Sequence, residues 1–108
     1  MVKIIGRTDV LQLMKENNAI LIDVLSEEDF HSLHIYQAIN IPLERIGNTC
    51  RKRFGLETPI IVHCSDESCH ASNLAARKLQ AFKFRNIFEY RGGKKDWKKA
   101  GLPMASGL

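Results

Sequence analysis

Two kinds of segment take turns along the chain: short, nearly continuous apolar runs, and longer stretches in which apolar residues return every three or four positions. Residues 2–5 predict a first strand. Thr8 offers an N-cap, and Val10, Leu11 and Met14 then recur at helical spacing until the Asn17-Asn18 pair stops the helix. The run Ala19-Ile20-Leu21-Ile22-Asp23-Val24 has the look of a strand buried on both faces of a parallel sheet. Ser26 ahead of Glu27, Glu28 and Asp29 places acids in the first turn of a short helix. Residues 38–41 predict a third strand ended by Pro42, and 43–54 a helix made irregular by Gly47, Asn48 and Thr49. A strand over 60–63 precedes a helix over 71–82 whose apolar face is drawn by positions 71, 74, 75, 79 and 82. A last strand over 86–90 meets the Gly92-Gly93 break, and a helix over 94–100 containing Trp97 is closed by Gly101 and Pro103. Strands alternating with helices imply an α/β domain with a mostly parallel central sheet flanked by helices.

Composition narrows the setting. The 108 residues suffice for one core, so a single domain over 1–108 is expected, and 44% hydrophobic with 26% charged residues is an ordinary globular mix. No apolar run approaches the ~20 residues that cross a bilayer, and the first residues lack a secretory leader pattern. Three cysteines, an odd number, argue against a disulfide framework and for a reducing, cytoplasmic setting. The net charge of +4 comes from Arg51-Lys52-Arg53 and from Lys94, Lys95, Lys98 and Lys99. Neither cluster is interleaved with aromatics and Asp96 interrupts the second, so both read as solvated helix faces; neither nucleic acid nor membrane is expected as a partner.

In parallel sheets chemistry collects at the carboxyl ends of strands, where both Asp23 and Cys64 fall. Cys64 is followed by the polar loop Ser65-Asp66-Glu67-Ser68-Cys69-His70 and a helix start at Ala71. Loop amides and the helix macrodipole would favour its thiolate, the nucleophilic form; the competing reading is a buried structural cysteine. Cys69, on the same loop, is a candidate resolving thiol. His63, Cys64, Cys69 and His70 suit zinc by type, yet neighbours in a strand point to opposite faces, which leaves at most three convergent ligands, and no metal or other cofactor is expected. His70 stands near enough in sequence to lower the thiol pKa when protonated, His63 reads as a satisfied strand histidine, His31 as a surface residue and His34 as locally hydrogen-bonded. Ser72 is expected to cap the helix, Asp23 to hold a turn, Arg91 to reach the same edge with a positive charge, and Trp97 to anchor the last helix.

Four segments carry a family likeness: Leu21-Ile22-Asp23-Val24 with Glu28 and Phe30; His34-Ile35-Tyr36-Gln37-Ala38-Ile39-Asn40-Ile41-Pro42; Val62-His63-Cys64 with Ser72 and Ala75-Ala76-Arg77-Lys78-Leu79; and Tyr90-Arg91-Gly92-Gly93 with Trp97, Gly101, Leu102 and Pro103. In this order and spacing the chain resembles a single-domain rhodanese of the sulfurtransferase superfamily. The resemblance implies a three-layer rhodanese-like fold and a sulfurtransferase in which Cys64 attacks a sulfur donor, becomes a persulfide and passes sulfur to a thiol or protein acceptor. The loop 65–71 would cradle the anion, with Asp23, Ser72 and Arg91 in support.

The sequence also departs from the family pattern. Leu25 stands where arginine is common, and Leu33 and Gln37 replace two usual glycines. Against the family's C-x-x-G-x-R-S, the loop from Cys64 to Ser72 is longer by two residues and lacks both the glycine and the arginine. Losing a charge-assisted contact of that kind costs about 1.5–3 kcal/mol, roughly ten- to a hundredfold in affinity for an anionic donor such as thiosulfate. Asp66 and Glu67 add repulsion, so a persulfide donor is expected to be preferred. Two alternatives compete: a non-catalytic rhodanese-like interaction module and, ranked lower because phosphoryl transfer needs a cationic clamp, a cysteine-dependent phosphatase or arsenate reductase. Donor, acceptor, pathway and oligomeric state are not encoded in any motif of the chain.

Overall fold

Strand residues of alternating parity bury to opposite sides of one sheet, and that alternation sets the architecture of the computed structural model. It describes residues 2–107; the two ends of the expected 1–108 unit, Met1 and Leu108, lie outside the described residues. The elements run β1 (Val2–Ile5), α1 (Arg7–Asn17), β2 (Ile20–Asp23), α2 (Glu27–Ser32), β3 (His34–Ile35), β4 (Ile39–Asn40), a 3-10 turn (Leu43–Arg45), α3 (Ile46–Arg53), β5 (Ile60–His63), α4 (Ala71–Ala81), β6 (Ile87–Tyr90), α5 (Gly93–Lys99) and β7 (Met104–Ala105). Five strands form a sheet in the order β1-β6-β5-β2-β4, with every pairing parallel. Ile22, Ile60, Val62 and Ile87 face α3 and α4 on one side. Leu21, Ile61 and Tyr90 face Val10 of α1, Phe30 of α2 and Trp97 of α5 on the other. The α/β class with helices on both faces of a parallel sheet is as the sequence predicts.

Several boundaries move. Helix α1 begins at Arg7, before Thr8: Gly6 takes the cap position and the Asp9 carboxylate accepts its N–H at 3.2 Å. Asn18 ends the helix in the left-handed region (φ 54). The buried face of α4 is Ser72, Ala75, Ala76 and Leu79, whereas Leu74 is exposed, so the sheet receives small residues that let the helix sit close. Over 43–54 the chain makes the 3-10 turn and then a regular helix; Gly47 is there because a Cβ would collide with the Phe82 ring. The antiparallel ribbon β3–β7 has no sequence signal, since two-residue strands show no periodicity.

Candidate active site

The carboxyl ends of β2, β5 and β6 meet the loop 64–70 and the first turn of α5, and strand parity splits the polar groups there into two sets. His63 and Tyr90 face one side, their rings 6.4 Å apart, and Cys64 the other. On the His63 side, the buried Asp23 accepts the Leu25 N–H at 2.9 Å through Oδ1, while Oδ2 forms a 3.2 Å ion pair with Lys94 Nζ, itself mostly buried and donating to the Asp29 carbonyl at 3.2 Å. Asn40 closes the end of β2 by donating to the Asp23 and Leu25 carbonyls, each at 3.0 Å. Asp23 thus holds both a turn and a cation. The cation is Lys94, not the solvated-face lysine that its neighbours Lys95, Lys98 and Lys99 suggest. His63 is fully buried, its Nδ1 lying 3.2 Å from the Cys64 carbonyl oxygen and its Nε2 without a hydrogen-bond partner among the described residues. Burial holds its pKa below 6.5 against the pull of Asp23, so the imidazole is neutral.

On the opposite side stands a chain of three groups. Cys64 Sγ lies 3.5 Å from Ser72 Oγ, which donates to Glu89 Oε2 at 3.0 Å; Glu89, only 1% exposed, pairs through Oε1 with Arg91 Nε at 3.4 Å. Arg91 does reach this edge, and its Nε pairs with Glu89 while the side chain stays half exposed. Ser72 lies inside the first turn of α4, is buried, and makes no cap; His70 takes the cap position without a side-chain bond. Glu89 is a site residue beyond those expected from the sequence, although an acid inside the run Ile-Phe-Glu-Tyr is the same kind of signal as Asp23 at the end of its apolar run.

The two loop thiols differ from the sequence expectation. Cys64 is 1% exposed and packs with Ile22, Val62, Ala75 and Ala76, because strand parity turns its Cβ inward beneath the loop. Burial, then hydrogen bonding to Cys69, pushes its thiol from 9.0 up to about 11, against smaller opposing contributions from Ser72. It points at the Cys69 carbonyl oxygen, 3.6 Å away. The polar ring expected around Cys64 gathers instead at Cys69, which is partly exposed. Burial raises the Cys69 pKa, but the Cys64 thiol, the Ala71 and Ser65 amides and the Ser65 hydroxyl outweigh it and lower the thiol below its ordinary value.

The loop is braced from outside. Lys94 N–H donates to the Cys64 carbonyl at 3.1 Å and Lys95 N–H to the Ser65 carbonyl at 2.9 Å. Gly93 has φ +63 and touches the same carbonyls, so a Cβ there would collide with Cys64 oxygen. At the loop tip the Asp66 carboxylate accepts from Ser68 N–H (2.9 Å) and Ser68 hydroxyl (2.6 Å), which holds its pKa below the usual range. A cleft of about 370 Å³ beside the tip is lined by Asp66, Glu67, Ser68, Gly92, Lys95, Asp96 and Lys99 and includes neither thiol. Its charges are mixed in sign. His31 is exposed, and His34 is buried, with Nδ1 2.7 Å from the Phe30 carbonyl oxygen and its ring stacked on Phe30.

Among the described residues no helix is long and apolar enough to cross a membrane. The family model for the rhodanese-like domain matches residues 7–100. The chain is 29% identical to the uncharacterized protein BU052 of Buchnera aphidicola, covering 94% of this chain and 71% of that one. It is 26% identical to the thiosulfate sulfurtransferase GlpE of Actinobacillus succinogenes, over 85% of this chain and 80% of the relative. A probable molybdopterin-synthase adenylyltransferase of Pyropia yezoensis is 38% identical over 73% of this chain, which spans only 20% of that protein. Among solved structures, the BH2092 protein of Bacillus halodurans superposes with a TM-score of 0.87 at 28% identity, covering 98% of this chain and 78% of that one. By sequence match and by fold, the chain belongs to the rhodanese-like domain family.

Proposed function

We propose that this domain is a sulfurtransferase that carries sulfane sulfur as a persulfide on the Cys64–Cys69 loop and exchanges it with persulfide or thiol partners in preference to thiosulfate. One observation carries the reading: two thiols meet at the carboxyl edge of the sheet, one of them partly exposed and faced by amides. Amides and hydroxyls that favour a thiolate also favour a persulfide anion. The donor preference rests on the fate of the nearby cations. Lys94 is bound to Asp23, Arg91 to Glu89, and Lys95 stands near Asp66, so none of these three offers the undivided cationic clamp that thiosulfate or a phosphoryl group requires. The named thiosulfate sulfurtransferase among the relatives supports the reaction class.

Intact-mass analysis after exposure to glutathione persulfide or to thiosulfate tests the reading. The protein should gain one sulfur atom from the persulfide, with thiosulfate slower by about ten- to a hundredfold, the factor that a lost charge-assisted contact carries. Equal or faster loading from thiosulfate would reverse the donor preference. No loading from either donor would leave a non-catalytic binding module as the reading.

A further inference from the structure

The two thiols sit in different environments, and the difference bears on which of them meets the donor. Cys64 is sealed: it is 1% exposed in the cluster that includes Ile22, Ala75 and Ala76, and its polar neighbours are the Ser72 hydroxyl at 3.5 Å, the Ser72 amide, the Cys69 carbonyl oxygen at 3.6 Å and the Cys69 thiol. At 1% exposure its sulfur is closed to a donor arriving from solution. Cys69 is partly exposed where Cys64 is buried, and has the Ser65 and Ala71 amides and the Ser65 hydroxyl turned toward it. Behind Cys64 the Ser72 hydroxyl leads to the buried Glu89 carboxylate at 3.0 Å.

We infer that Cys69 is the entry nucleophile of this site and that Cys64 is the inner, resolving thiol, with Ser72 and Glu89 as its proton path. The inference rests on the sulfurtransferase reading and inverts the order that strand position alone suggests. In the entry step the Cys69 thiolate attacks the outer sulfur of a persulfide RS–SH; the RS–SH bond breaks, Cys69–S–SH forms and RS⁻ leaves. Where an acceptor thiolate is at hand, it attacks the outer sulfur and restores Cys69. Without one, Cys64 gives its proton through the Ser72 hydroxyl to Glu89, and the resulting thiolate attacks the inner sulfur of Cys69–S–SH. A Cys64–Cys69 disulfide forms and HS⁻ leaves; the two thiols lose two electrons and the sulfane sulfur gains them. An external dithiol resets the pair.

Two measurements on the full chain test the order. First, site-resolved iodoacetamide alkylation across pH 6–10, with no sulfur donor, should label Cys69 at least about a hundredfold faster than Cys64 near neutral pH, as the separation in thiolate fraction requires; faster labelling of Cys64 overturns the inference. Second, with glutathione persulfide and no acceptor, Cys64→Ser should retain one added sulfur on Cys69, Cys69→Ser should take up at most a tenth as much, and the unmodified chain should release sulfide while closing the 64–69 disulfide. Loading of Cys69→Ser at the unmodified rate, on Cys64, also overturns it. Glu89→Gln should slow sulfide release while leaving sulfur uptake by Cys69 unchanged, a split that a merely structural carboxylate would not give; equal slowing of both steps removes Glu89 and Ser72 from the proton path. If Cys69 alkylates first but no variant accepts sulfur, the order of the thiols stands and the sulfurtransferase reading falls.

Discussion

At the scale of single residues, two backbone positions with positive φ carry opposite side chains. Gln37 adopts φ 75, the left-handed region, at a place where the family resemblance supplies glycine. A non-glycine residue there costs about 1–2 kcal/mol, partly offset because glycine loses more entropy on folding. Gln37→Gly is therefore expected to stabilise the fold by up to about 1 kcal/mol, read as a higher urea midpoint. Gly93 is the reverse case: at φ +63 it leaves room for the Cys64 carbonyl oxygen, which an added Cβ would strike. Gly93→Ala should cost more than about 2 kcal/mol and slow alkylation of Cys69, because the brace on its loop shifts; an unchanged midpoint and rate would refute the close approach. The sequence marked Gly92-Gly93 as a break, but not that a carbonyl presses on the second glycine. It marked Cys64 and its loop with equal ease. Which sulfur faces out was hidden, because it follows from strand parity together with the shape of a loop that has no periodic signal.

At the scale of elements, the end of β2 is joined to the start of α5 by the Asp23–Lys94 pair, in which the carboxylate is fully buried. Removing one partner of a buried pair strands the other charge. Lys94→Met is expected to lower stability by about 3–5 kcal/mol in a urea titration. The double variant Asp23→Asn, Lys94→Met should recover at least half of that, because Asn can still accept the Leu25 N–H and leaves no buried charge. Additive losses would show that the pair is not coupled. The strands and helices around this junction were legible because each carries a clear period. Lys94 was not: its neighbours Lys95, Lys98 and Lys99 disguise it as one more surface lysine, and only its place beside Gly93 puts it under the sheet edge. The β3–β7 ribbon was likewise invisible, although Trp97 helps fix it by donating Nε1–H to the Pro103 carbonyl at 3.0 Å.

At the scale of the whole molecule, the shifted groups shape how stability depends on pH. His63, with a pKa below 6.5, binds its proton more weakly folded than unfolded, so stability is full above about pH 6.5 and falls as pH drops from there toward the folded pKa. Asp96, lowered chiefly by the Tyr90 hydroxyl at 2.5 Å and also by Arg7, extends the loss at still lower pH. Cys50 and Cys64 are both raised by burial from 9.0 to about 11, and Tyr90 is raised by burial and Asp96, so folded protein holds protons that unfolded chains release. Stability should accordingly fall again as pH climbs past about 9. Urea midpoints from pH 4 to 11 should trace a plateau between about 6.5 and 9, with each proton worth at most about 1.4 kcal/mol per pH unit on the flanks. His63→Gln should flatten the acid flank just below pH 6.5; an unaltered flank would remove His63 from the account. The contacts from α5 to the loop have a further consequence. Both tethers, at Cys64 and Ser65, run main chain to main chain. They are indifferent to which side chains follow, so the loop tip at positions 66–68 hangs beyond a fixed root as an exchangeable cassette, and new donor specificities can be grafted there without redrawing the scaffold or the two thiols that it holds.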